Sequence, residues 1–157
     1  MQIPLHPADI PADWLTATLR TAGTLAAARV SAIEIELLRG DKGTTGQLAR
    51  LRLSYEGDAA AAPSSLIAKF SATDPQARAL IHGMGFYERE VRFYEQLAHR
   101  SPLHTPRCYF SALDMESGVA LLLLEDLAFA RNGNTLMGCS VAEAELAVRA
   151  IASLHAA

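Results

Sequence analysis

At 157 residues, half of them hydrophobic and a fifth charged, the chain has apolar material for one core and is expected to fold as a single unit. Its formal charge of -3 comes from acidic and basic residues interspersed along the sequence, so no basic stripe points to nucleic acid or an anionic membrane as a partner. Two cysteines, Cys108 and Cys139, stand far apart with no neighbouring Cys or His at metal-ligand spacing; zinc and a disulfide framework find no support, and a cytoplasmic location is expected. The opening residues lack the basic start and apolar run of a secretory signal, and the longest apolar stretch, Val119 to Leu124, is too short to cross a bilayer.

In chain order, Pro11 suits the first turn of a short helix carrying Trp14, Leu15 and Leu19, with Gly23 as its stop. From Val30 to Leu38, Ile33, Ile35 and Leu37 alternate with Glu34 and Glu36, the two-residue period of a half-buried strand. A second strand comes next, with Leu51, Leu53 and Tyr55 on one face and Arg50, Arg52 and Ser54 on the other. Between the two lies Arg39 to Gly46, whose three glycines permit positive φ and close approach by a ligand. Glu56 to Ser64 has the composition of an exposed connection, leading to a third strand over Ser65–Ser71.

Asp74 and Pro75 open a short helix that Gly83 and Gly85 interrupt, and a longer helix is expected from about Phe86 to Ala98. On it Tyr87, Glu90, Val91, Tyr94 and Leu97 recur at three- and four-residue spacing, which places the Glu90 carboxylate on or beside the stripe facing the sheet. Cys108–Leu113 and Val119–Leu124 flank a five-residue loop and read as a hairpin, the second strand apolar on both faces as a covered central strand would be. Ser140 and Glu143 carry a capping-box signature, and Leu146, Ala150, Ile151 and Leu154 are expected to bury one face of the last helix. The expected fold is α+β, a five-stranded antiparallel sheet with a long helix inserted after the third strand and a helix at each end.

Taken singly, each candidate functional residue has an ordinary explanation. The glycine loop could be only a hairpin turn, Lys69 an edge-strand lysine, Glu90 a solvated helix residue, and Glu125 and Asp126 polar residues ending a strand. Their order argues otherwise: glycine loop between strands one and two, lysine in strand three, glutamate in the next long helix, then an apolar strand running into Leu124-Glu-Asp-Leu127. This is the order of parts in the upper lobe of a protein-kinase-like fold. There a glycine loop covers a triphosphate with backbone N–H groups, the lysine donates to phosphate oxygens, and the glutamate holds the lysine. Glycine removes the side chain that would block approach, and lysine supplies a compact charge on a long stem.

Six stretches, Gly43–Gly46, Leu66–Phe70, Arg89–Glu95, Thr105–Tyr109, Leu122–Leu127 and Leu154–Ala156, resemble in sequence and order the aminoglycoside-phosphotransferase and ecdysteroid-kinase-like enzymes. The resemblance covers nearly the whole chain from about Ala32. It implies a nucleotide partner, ATP with magnesium, and a transferase acting on a small-molecule hydroxyl. It also implies a nucleotide site made by Gly43, Thr44, Thr45, Gly46, Lys69, Glu90, Glu125, Asp126 and Leu127. Lys69 would contact the α- and β-phosphates with Glu90 as its partner, the backbone of Glu125–Leu127 would form the hinge that hydrogen-bonds adenine, and His155 would be a packing residue.

On this resemblance residues 1–127 form a nucleotide-covering lobe with its hinge, and residues 128–157 a linker and first helix leading toward a second lobe. That lobe would supply an aspartate base, an asparagine and a second aspartate for magnesium, and the acceptor pocket. None of these motifs occurs in the 157 residues, so no catalytic or metal-binding residue is assigned, and the chain alone is expected to be inactive and to bind nucleotide weakly. Antibiotic, sterol, choline-like amine and sugar acceptors stay open, as does a homodimer through the apolar surface that would meet the second lobe. The alternative is a non-catalytic binding or oligomerisation domain of the same fold. A third reading, an α+β domain unrelated to nucleotides, would require Lys69 and Glu90 to be far apart.

Overall fold

A computed structural model describes residues 3–38, 46–130, 133 and 136–156. After a short 3-10 turn at Pro7–Asp9, the first helix, α1 (Ala12–Thr21), has Pro11 at its N-cap, Asp13 in its first turn and Arg20 in its last, each suited to the helix dipole. Leu15 and Leu19, one turn apart, are fully buried. The hydroxyls of Thr16 and Thr18 donate to the carbonyls of Ala12 and Trp14, which lets two polar residues sit buried beside them. Beyond the helix, Gly23 takes φ +71°, and the N–H of Thr24 returns to the Leu19 carbonyl.

Five antiparallel strands are arranged in the spatial order β1-β2-β3-β5-β4: β1 Arg29–Leu37, β2 Gly46–Glu56, β3 Ser65–Ser71, β4 Cys108–Leu113 and β5 Ala120–Glu125. The expected meander of three strands and the later hairpin are both present. The hairpin enters in reverse, with β5 against β3 and β4 at the edge, because an apolar β5 needs a neighbour on each side and a cover on each face.

The strand period divides the sheet into two faces. One carries Ala49, Leu51, Leu66, Ala68, Phe70, Leu121 and Leu123, all buried against α1. Burying each leucine or phenylalanine contributes about 2 kcal/mol. The helix touches both β1 and β4, and Trp14 meets Phe110 of β4 edge to face at 5.0 Å. The opposite face carries Arg50, Ile67, Lys69, Leu122 and Leu124, and it is the face that bears the candidate site.

Two helices pack on that second face. In α2 (Pro75–Gly83), Asp74 caps the Ala77 N–H and Pro75 holds the first position. Gly85, at φ +72°, turns the chain into α3 (Phe86–Arg92). Gly118, at φ +68° in the β4–β5 turn, lies under the His82 ring of α2, where a Cβ would come within 2.9 Å of it.

Three expectations need correction. The helix from Phe86 does not run as α to Ala98: residues Phe93–Leu97 form a π-helical turn and Ala98–Arg100 a 3-10 turn. One extra residue in the π turn rotates the side chains beyond it by about 100°. Tyr94 therefore stays packed beside Cys108, whereas Leu97 is turned out to 56% exposure. Strand β1 is covered at its start, where the Val30 N–H donates to the Thr16 hydroxyl, and partly at Ile33; Ile35 and Leu37 farther along this edge strand are exposed. Finally α4 (Val141–His155) has its capping box, but none of its described residues is buried, and Leu146, Ile151 and Leu154 are 44–69% exposed. Its periodicity describes an apolar side without supplying what covers it. His155 is likewise exposed rather than packed.

Candidate active site

Lys69 lies in the middle strand of the sheet, paired with Leu48 of β2 and Leu122 of β5, so it is not an edge lysine. Its neighbours Ala68 and Phe70 point into the core, which forces the Lys69 stem onto the opposite face. There α3 is anchored twice: Val91 is buried with Leu122 and Leu124, and the N–H of Ala72 at the end of β3 donates to the Tyr87 hydroxyl at 2.9 Å. Glu90, beside Val91 on the helix, is thereby carried to the lysine. The Lys69 ammonium donates to both Glu90 oxygens, at 2.6 and 2.8 Å.

The two side chains are 29% and 31% exposed. An ammonium has three protons and Glu90 takes two, so one donor stays available to an anion. An open hollow of about 330 Å³ adjoins the pair, lined also by Phe86, Tyr87 and Arg89. Arg89 is held over the Phe86 ring at 5.0 Å, and its Nη2 donates to the Met84 carbonyl.

A second hollow of about 370 Å³ lies on the same face, floored by Leu38, Ile67 and Leu124 and bounded by Arg50 and the segment Glu125–Leu127. Ile67 and Lys69 are two residues apart on one strand face, so the apolar floor of the hollow and the lysine are separated by about 7 Å. A flat apolar group and an anion attached to it fit that spacing.

The side chains of Glu125 and Asp126 are turned to the protein. Glu125 makes two hydrogen bonds to the residue before β4: its N–H donates to the Arg107 carbonyl, and its carboxylate accepts the Arg107 N–H. Asp126, with a side chain only 5% exposed, accepts from Arg50 Nε at 2.7 Å and from Ser65 Oγ at 2.8 Å. Leu127 lines the hollow, and its carbonyl accepts the Ala130 N–H. Of the glycine loop, Gly43, Thr44 and Thr45 lie outside the described residues. Gly46 opens β2, and a Cβ there would sit 2.1 Å from the Phe70 carbonyl oxygen, so the close approach of β3 already requires a glycine.

Arg50 and Ser65 went unnoticed as site residues in the sequence. The only hint was the alternation that puts Arg50 on the polar face of β2; its partner is 76 residues away. Burial pushes the Asp126 carboxyl up, but hydrogen bonds from Arg50 and Ser65 together more than offset this, and its pKa is lowered from 3.8. A carboxyl depressed in the folded state adds stability above its unfolded pKa and loses it as pH falls through the folded value. Asp126→Asn should cost about 2 kcal/mol at neutral pH and flatten the fall in stability below about pH 4, as read by denaturant melts across pH.

Burial pushes the Cys108 thiol up to about 11, so it stays protonated; both cysteines are free. Among the described residues no group of three or more His, Cys, Asp or Glu is placed to hold a metal ion, and no helix is long and apolar enough to cross a membrane. The family model described as the ecdysteroid kinase-like family matches residues 41–157. No curated protein and no solved structure gave a match.

Proposed function

The chain belongs to the ecdysteroid kinase-like family, and from that membership we propose that it is the nucleotide-covering lobe of a cytoplasmic ATP-dependent phosphotransferase acting on a hydroxyl of a small molecule. The observation that carries the reading is the Lys69–Glu90 pair standing one strand step from a hollow with an apolar floor at the end of β5. The hollow takes the base, and backbone groups near Leu127 read its edge. The Glu125 N–H, committed to Arg107, is not one of them.

Lys69 donates to the α- and β-phosphates, and Glu90 keeps the ammonium from swinging away, so its charge is in place before the ligand arrives. Gly43–Gly46 covers the triphosphate. On this proposal residues 1–127 form the lobe and hinge, and 128–157 lead toward the part that binds the acceptor. Magnesium, bound with the triphosphate, would neutralise charge on its oxygens. The described residues offer no ligand set for it, so it is assigned no residue and no step is drawn through it.

The test is calorimetry of ATP·Mg²⁺ with the 157-residue chain, alongside a phosphate-release assay. Binding with Kd of about 1 mM and no turnover is expected, since one wall of a cleft supplies only part of its contacts. A chain that binds no nucleotide at about 10 mM overturns the reading. One observation favours the second reading, a binding or oligomerisation module: the exposed apolar residues of α4. Self-association without nucleotide binding would establish that module instead.

A further inference from the structure

The second hollow is bounded by a guanidinium that is held by carboxylates on two sides. Arg50 Nε and Nη2 both donate to Asp126, at 2.7 and 3.4 Å, and Nη1 donates to Glu36 of β1 at 3.2 Å. Carboxylates on both sides fix the group in place and take three of its five N–H donors. With its charge balanced by Glu36 and Asp126, what Arg50 offers a neutral ligand is its planar face. Asp126 is in turn fixed by the Ser65 hydroxyl on β3, so three strands and the segment after β5 meet at this one group.

Charge at the hollow points the same way. Arg50 and Arg52 are balanced by Glu36 and Asp126, to which they are bonded, and Glu125 adds a further carboxylate beside Arg107. The place does not attract a phosphate. It suits a neutral flat ring resting on the apolar side chains of Ile67 and Leu124 and on the delocalised cation beside them.

We propose that Arg50 is the surface on which the nucleobase stacks, with Asp126 and Glu36 as the residues that position it. The proposal rests on the nucleotide reading and adds to it a division of labour: Lys69 meets the phosphates and Arg50 the base. A stacking face contributes affinity without choosing between adenine and guanine, since both bases present a π-face.

The experiment compares the 157-residue chain with Arg50→Lys and Asp126→Asn, each first shown to be folded by circular dichroism, and titrates ATP, GTP and inorganic tripolyphosphate with Mg²⁺. In Arg50→Lys the charge remains and the flat face is lost, so the Kd for ATP and for GTP should rise by the same factor, about tenfold. Tripolyphosphate binding should be unchanged. Asp126→Asn should raise the nucleotide Kd by a smaller factor. In the unsubstituted chain, NMR should show cross-relaxation between the adenine H2 or H8 proton and the Arg50 side chain, a readout that survives if the variants fail to fold.

Arg50→Lys binding ATP as well as the parent, or losing ATP and tripolyphosphate equally, would overturn the role of Arg50 while leaving the nucleotide reading intact. Absence of the adenine–Arg50 cross-peaks in a chain saturated with ATP would do the same. A parent chain that binds neither nucleotide removes both.

Discussion

On the proposed nucleotide reading, Lys69→Ala is expected to raise the Kd for ATP·Mg²⁺ at least about tenfold, and the Kd for tripolyphosphate with it, since the cation proposed to meet the phosphates is removed. The unfolding midpoint should hardly move. The Lys69–Glu90 pair is about a third exposed on each side, so its worth to the fold is at most about 1 kcal/mol, which is roughly 2–4 °C in a chain of this size. Activity-type and stability-type effects therefore separate at this residue. Glu90→Gln, which keeps the shape but frees the lysine, should weaken binding less than Lys69→Ala because the charge is retained and only its position is lost. Calorimetry on the three chains checks both statements. Lys69→Ala with undiminished affinity would remove the lysine from the phosphates.

Gly46→Ala should be the most damaging small substitution for the fold, at about 3 kcal/mol or more. The added Cβ would meet the Phe70 carbonyl oxygen at 2.1 Å, and that atom belongs to the backbone of the central strand, so no side-chain rotation can relieve the clash. Gly46 pairs with Ser71, two residues beyond Lys69, and any separation of β2 from β3 there disturbs the strand that aims the lysine. Denaturant unfolding should show the midpoint falling sharply, with nucleotide affinity lowered as well. Near-native stability in this variant would mean that β2 and β3 stand farther apart at this point.

The glycine loop illustrates how a sequence signal can have two causes. Three glycines between two strands suggested a ligand's approach, yet at Gly46 the close approach is that of the neighbouring strand. Asp126 is a similar case. It was singled out with the hinge, and its carboxylate is spent on Arg50 and Ser65, so any part it takes in binding is through what it holds.

Local pattern was enough for most of the architecture. Alternation defined the strands, Asp74-Pro75 and the Ser140 box marked helix starts, and the apolar run before Glu125 identified a strand covered on both faces, because each of these arises from contacts within a few residues. The order of glycine loop, lysine, glutamate and apolar strand was likewise readable along the chain. Tertiary structure alone decided the rest. Whether Glu90 meets Lys69 depends on where Val91 and Tyr87 seat α3, and the π turn that rotates Leu97 out leaves no mark in a three-and-four spacing. Arg50 and Asp126 are brought together by the sheet across 76 residues. The apolar side of α4 was legible as a pattern, but burial needs a second surface, and a periodicity cannot supply one.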